Sequence, residues 1–246
     1  MEKSKNLLRG PTLVLASLLL ASCVTAPTTP KSETSQVTNK NSSIALKNAY
    51  SLLAQEGGKV FALAPNTSRV RIYAFRSGSA ARLGHNHVLA APEFTGFFYL
   101  PSSGIAHARF DLEFRLDQLE IDNPSYRASL GQAFASVLSP EAIEATRQHM
   151  LGADGLQAEQ FPFVRIHSLS ITGESPRFAA KVQIEIHGQS HEIWVPLVVD
   201  GLPDSLTVSG SFVLRQTDFG IKPYSALGGI LAVGDEVVVE FHLVSG

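Results

Sequence analysis

Alternation of apolar and polar residues dominates the chain from Lys59 onward. Across residues 105–117 one face carries Ala106, Ala108, Phe110, Leu112, Phe114 and Leu116, and the other carries His107, Arg109, Asp111, Glu113 and Arg115. Successive side chains of a strand point to opposite faces, so this period of two predicts a half-buried β-strand. Residues 178–187 repeat it, with Phe178, Ala180, Val182, Ile184 and Ile186 on one face. Leu206, Val208, Phe212 and Leu214 follow the same rule, as do Val237, Val239, Phe241 and Leu243. Noisier strands are expected over residues 60–63, 69–75, 88–99, 163–171 and 193–199, with turn signals at Pro101-Ser102-Ser103-Gly104, Gly188-Gln189 and Pro203-Asp204. One helix interrupts the strands: Ser139 supplies an N-cap, Pro140 the first helical position, and Gly152 the stop after Ala142, Ile143, Thr146, Met150 and Leu151.

One-sided strands in such number, in mostly sequential antiparallel order, need a common interior. They predict an all-β fold, an antiparallel β-barrel of about eight strands, wide enough inside for one small ligand. The candidate lining is Ala106, Ala108, Phe110, Leu112, Phe114, Val182, Ile184, Ile186, Val208, Phe212, Val239 and Phe241. These side chains either fill the barrel themselves or wall a cavity; such a wall offers no polar partners, so an apolar guest fits it without cost, at about 25 cal/mol per Å² of apolar surface removed from water. Phe94, Phe97, Phe98, Tyr99 and Trp194 read as core or lining.

The first quarter of the chain reads differently. Lys3, Lys5 and Arg9 precede an apolar run over residues 12–20, and the run Leu20-Ala21-Ser22-Cys23 follows. Charged, apolar, then small is the order of a secretory signal, too short to span a bilayer. Small residues before the only cysteine of the chain resemble the lipobox of bacterial lipoproteins, where the thiol is acylated and Cys23 becomes the new N-terminus. The expected division is a signal peptide (1–22), a flexible Pro/Thr/Ser/Lys tether (23–42), a short helical segment (43–57) and the barrel (58–246). The implied location is a bacterial membrane facing the periplasm. Val24, rather than an aspartate, after the cysteine points to the outer membrane.

Composition narrows the function. With 44% hydrophobic residues among 246 and a formal charge of −2, the chain can bury a core and has no basic excess for nucleic acid. A single cysteine forbids an intrachain disulfide.

The run Thr217-Asp218-Phe219-Gly220-Ile221, then Gly228-Gly229, then Val233-Gly234-Asp235-Glu236-Val237 sits downstream of Phe161-Pro162-Phe163 and of the hairpin around His187-Gly188-Gln189-Ser190-His191. In order and spacing these resemble the YceI-like family of secreted bacterial proteins, over roughly residues 58–244. The resemblance implies a lipocalin-like, eight-stranded barrel holding a long polyisoprenoid or an isoprenoid quinone, with no other cofactor required. The chain departs from commoner members at Arg82-Leu83-Gly84-His85-Asn86-His87, which resembles a G-H-x-H subgroup, and in its segment before Lys59.

His85 and His87 are the sharpest candidates for chemistry. On a strand they would point the same way, toward one metal completed by His167, His187 or His191, or toward a ligand headgroup at the barrel mouth together with Tyr224. Asp218 and Asp235 read as turn residues bonding backbone, and Asp235 and Glu236 point to opposite faces of a strand. No nucleophile elbow, phosphate loop or H-E-x-x-H motif is present, so the chain reads as a binding module rather than an enzyme. The first expectation is a tethered carrier of an isoprenoid lipid. The others are a metal- or haem-binding redox accessory protein using His85 and His87, and a structural envelope lipoprotein with a filled barrel.

Overall fold

The computed structural model describes residues 33–246; the signal segment and Cys23 lie outside them. A helix α1 (Glu33–Gln55) precedes twelve strands: β1 (Gly58–Ala62), β2 (Arg69–Ser77), β3 (His87–Ala90), β4 (Thr95–Pro101), β5 (Arg109–Arg115), β6 (Glu120–Ile121), β7 (Phe163–Glu174), β8 (Arg177–Ile186), β9 (Gln189–Asp200), β10 (Thr207–Arg215), β11 (Ser225–Ala226) and β12 (Leu231–Val244). Two helices, α2 (Pro124–Ser129) and α3 (Pro140–Leu151), lie between β6 and β7. All strands belong to one antiparallel sheet in the order β1-β4-β5-β7-β8-β9-β10-β12-β2-β3-β6, with β11 paired to β12.

The sheet curls into a half-barrel around the main core. Its curl carries the β1 edge back to the end of β12: Leu63 bridges Ser245, and the Ala64 and Gly246 amides donate to Val244 and Ala62 carbonyls. The all-β class expected from alternation is the class found, but the count and closure differ. Twelve strands replace eight, partly because β6 and β11 have two residues each and partly because the stretch 88–99 breaks at Ala91-Pro92. Proline has no N–H to continue a ladder. The sheet keeps open edges at β1 and β6, and α1 packs over β1 and β4.

Local corrections have local causes. Residues 105–107 form a 3-10 turn, so β5 starts only at Arg109. β7 shifts register between Ser168 and Ser170, which flips the face of everything after it and leaves Leu169 exposed. The β8–β9 turn is His187-Gly188, with φ of 54° and 70°, one residue earlier than the turn read from sequence. Positive φ at both central positions suits the right-handed twist of a hairpin. Gly210 faces Phe241, whose ring would lie 2.5 Å from a Cβ there.

The outer face is covered as well. α1 reaches back to Glu33, into the stretch read as tether. It docks through Tyr50, 2% exposed, which stacks on Phe97 (5.2 Å) and donates to Asp111 Oδ2 (2.7 Å). Ser42 Oγ donates to Glu113 Oε2, which also accepts from Arg165 Nε. Burial, reinforced by the neighbouring Asp111 carboxylate, pushes the Tyr50 phenol far above its ordinary range. Over β2 and β3, the 122–138 segment adds a second apolar cluster of Tyr73, Val88 and Phe134.

Candidate functional site

The concave face of the sheet encloses a cavity of about 940 Å³, near the upper end of the range of small-molecule sites, about 300–1,000 Å³. Its wall alternates strand by strand: Phe110, Leu112 and Phe114 of β5, Val182, Ile184 and Ile186 of β8, Val208 and Phe212 of β10, and Val239 and Phe241 of β12 all border it. Two residues named from the pattern do not. Ala106 is exposed on the 3-10 turn and Ala108 is buried in the core away from the cavity, because the strand begins after them. Phe98 borders the cavity, whereas Phe97 faces α1 and Trp194 is half exposed on the outer face.

Polar lining is confined to one end. His87 at the start of β3, Thr146 and His149 of α3, Asp154, and Gln216, Lys222, Tyr224 and Ser225 around β11 share the end where β2, β8 and β10 finish. The opposite end, bounded by Leu63, Val70, Leu206 and Leu243, is apolar throughout. Helix α3 caps the polar end. Ala142, Ala145, Thr146, His149 and Met150, spaced three and four apart, present one helical face to the cavity. Ser139 Oγ accepts from the Ala142 amide at its N-cap, and Arg147 holds its outer side to the Leu119 carbonyl (2.6 Å).

The two histidines of the G-H-x-H element separate. His85 sits in the exposed loop before β3, whereas His87 is on the strand, opposite Ala74, and borders the cavity. Between them Asn86 is buried, accepting from the Arg76 amide and donating to the Ala133 carbonyl. His87 Nδ1 lies 2.6 Å from Oδ2 of Asp122, a residue with no solvent exposure. The other oxygen of Asp122 accepts from the Val88 amide (3.1 Å) and Arg127 Nη1 (2.6 Å). Arg127, 5% exposed, also donates to Asn86 O and to Ser136 O and Oγ. Burial alone would raise the Asp122 pKa, but the bonds from His87, Val88 and Arg127 outweigh it and hold the carboxyl below its ordinary range. Nothing in the sequence pattern singles out Asp122 or Arg127. Their signal is weak: a lone acid before an Asn-Pro helix start.

The three histidines that could complete a metal site have other neighbours. His167 Nδ1 pairs with Asp111 (2.7 Å), His187 Nδ1 with the Phe219 carbonyl (3.1 Å), and the His191 ring packs edge-on to Phe219. Among the described residues no three or more His, Cys, Asp or Glu are grouped to hold a metal ion. Tyr224 lies at the cavity mouth, its ring 5.1 Å from that of His149.

The motif pieces spread along the sequence converge at this same end. Phe161 packs edge-on to His187, His187 reaches Phe219, and Asp235 accepts from Thr217 N (2.8 Å) and Oγ1 (2.6 Å) and from Arg215 Nε (3.1 Å). Gly220 turns the chain at φ 68°, and Phe219, 1% exposed, and Ile221 seal it. Asp235 is thus an anchor for the 216–221 turn, beside the register shift of β12.

The fold is found in solved proteins of low sequence identity. The crystal structure of Burkholderia cenocepacia BcnA matches with a TM-score of 0.55 at 14% identity, over 75% of this chain and 99% of that one. A polyisoprenoid binding domain from Saccharophagus degradans, implicated in plant cell wall breakdown, matches with a TM-score of 0.50 at 13% identity, over 75% and 96%. No curated protein matches the chain in sequence. Residues 62–245 match the YceI-like domain, which takes in β2 to β12, the cavity and every motif that meets at its polar end, and the chain belongs to that family.

Proposed function

We propose that this chain is a membrane-anchored periplasmic protein that sequesters or carries an isoprenoid lipid or quinone in its half-barrel. The observation that carries the reading is the division of the cavity: about 940 Å³ walled by Val, Ile, Leu and Phe, with polar side chains at one end only. An amphiphile with a long apolar tail and a small polar head matches that division. The polyisoprenoid-binding domain among the structural matches supports the same ligand class. The empty volume favours a carrier over a filled structural barrel. The dispersal of His85, His167, His187 and His191 leaves the metal reading without a ligand set among the described residues.

The anchor rests on sequence, on the Leu20-Ala21-Ser22-Cys23 run. No described helix is long and apolar enough to cross a membrane, so acyl chains on Cys23 would supply the attachment. Several chains together hold firmly where a single one does so marginally. In this reading the tethered carrier serves no catalytic role and its residence is the periplasmic face, with Val24 favouring the outer membrane.

The test is native mass spectrometry of the full chain purified from bacterial membranes, followed by solvent extraction. The expected spectrum shows a polypeptide beginning at Cys23, acylated, with one isoprenoid bound per chain. A free thiol at Cys23 would overturn the anchor, and a ligand-free protein that also fails to take up added geranylgeraniol would overturn the carrier.

A further inference from the structure

We infer that His87 is the ligand's polar subsite, built as a hydrogen-bond acceptor, so that the cavity selects an isoprenoid ending in a free hydroxyl. Such an end belongs to a prenol or a hydroquinone; an ether or an ester lacks it. The inference rests on the lipid-carrier reading and adds to it the chemistry of the head.

The argument starts from Asp122. An ionised carboxylate only accepts hydrogen bonds, and Asp122 is fully buried with Arg127 on one oxygen and His87 on the other. The proton of a neutral His87 is therefore on Nδ1, which donates to Oδ2. That fixes the tautomer and leaves the Nε2 lone pair as an acceptor. Nε2 has no hydrogen-bond partner among the described residues, and His87 borders the cavity with Nδ1 turned away toward Asp122. In the neutral ring the nitrogen left for the cavity is one that accepts.

Thr146 of the lid also has its hydroxyl proton spent, on the Ala142 carbonyl (2.9 Å), but it is on α3, whereas His87 is fixed in the sheet wall by a buried carboxylate. His149, Asp154, Lys222 and Tyr224 stand at exposed positions of the rim, and Gln216 Nε2 donates to the Gly234 carbonyl. Ala74, Ile72 and Leu89 surround His87 on the wall. A hydroxyl there gains a partner, whereas an ether oxygen would set a second acceptor against Nε2. An unpaired acceptor pair of this kind costs roughly one hydrogen bond, or about tenfold in affinity.

The full chain in detergent micelles, offered equal amounts of geranylgeraniol and its methyl ether, tests this by native mass spectrometry. The wild type is expected to favour the alcohol about tenfold relative to His87→Leu, which should bind both alike. Equal preference in the two proteins would overturn the acceptor subsite while leaving the carrier standing. No adduct with either compound in the wild type would overturn both. Imidazole nitrogen NMR of the unsubstituted chain gives a readout that does not depend on the variant folding. It should find His87 protonated on Nδ1, with the Nε2 resonance moving when the alcohol binds and not when the ether binds. An Nε2–H tautomer, a ring protonated on both nitrogens, or identical responses to both compounds would overturn the inference.

Discussion

At the apolar end of the cavity Leu63, Val70, Leu206 and Leu243 meet across strands, and backbone bonds tie them down: Leu63 bridges Ser245, and the Ser245 amide donates to the Leu206 carbonyl. At the polar end side chains do that work. Arg127 and Asp122 lock the start of β3, Asp235 holds the 216–221 turn, and Arg147 holds α3. The first arrangement is non-directional and tolerant, the second directional and dependent on each partner. A lid and a recognising group need the second kind, because burial alone does not fix where a histidine nitrogen points.

The sharpest way to break this contrast is Asp122→Ala. It removes the acceptor of three donors and leaves Arg127 charged, buried and short of its partner. Stranding one member of a buried pair costs about 3–5 kcal/mol, a large part of a domain's stability, and urea unfolding should show it. The pH dependence follows with a definite sign. The folded carboxyl of Asp122 titrates below its ordinary range, so its contribution is present above the unfolded-state pKa, near 4, and is lost as pH falls through the folded value. The variant should therefore show a shallower decline below about pH 4. An acid limb as steep as that of the wild type would mean that other carboxylates govern it.

Leu206→Ala probes the opposite end. Leu206 has no solvent exposure but borders the cavity, so truncation enlarges existing space and adds no new acid dependence. The expected loss is about 2–4 kcal/mol, toward the lower part of the Leu→Ala range. If the loss exceeded that of Asp122→Ala, the apolar end would be the more demanding of the two.

The contrast also marks what sequence can reveal. Alternation exposed the wall well, since Phe110, Leu112, Val182, Ile184 and Val239 each lie in unbroken period-two runs, and a wall is a property of many residues at once. It failed at Ala106 and Ala108, where a 3-10 turn imitates alternation, and after Ser168, where a bulge inverts it. The buried triad was hidden for a different reason. His87, Asp122 and Arg127 lie as far as 40 positions apart on the chain by their numbering, and the short β3–β6 ladder of Leu89 with Ile121 and Ala90 with Glu120 brings them together. Glu113 and Arg115 looked like a solvated face, yet both are buried; α1 reaches Glu113 through Ser42, and no periodicity in β5 announces its cover.

Tyr50→Phe tests that cover. It deletes one bond to a carboxylate at 2.7 Å while keeping the stack on Phe97. Bonds to charged groups are worth about 1.5–3 kcal/mol, and Asp111, still paired with His167 Nδ1, keeps part of its satisfaction. A loss of about 1.5 kcal/mol is expected, with amide exchange rising in α1 and little change in the cavity's ligand preference. A change in preference would mean that the outer helix is coupled to the inner wall.

Thr217→Val should have the smallest effect and makes the finest distinction. Valine keeps the shape and the backbone bond from residue 217 to Asp235 Oδ1 but removes the hydroxyl bond to Oδ2. Both residues lie near solvent, where water replaces the lost donor, so global stability should fall by less than about 1 kcal/mol. The turn it holds has a narrower base: the Gly220 and Ile221 amides donate back to Thr217 and Gln216, and His187, the Gln216 side chain and the buried Phe219 and Ile221 hold the rest. Faster amide exchange at Gly220 and Ile221, with an unchanged urea midpoint, is the expected result. It would show that the polar end is assembled from separable side-chain clamps. Exchange that quickens instead across β10 and β12 would mean that the turn and the sheet open as one unit, and the two ends of the cavity would then differ in chemistry but not in how they come apart.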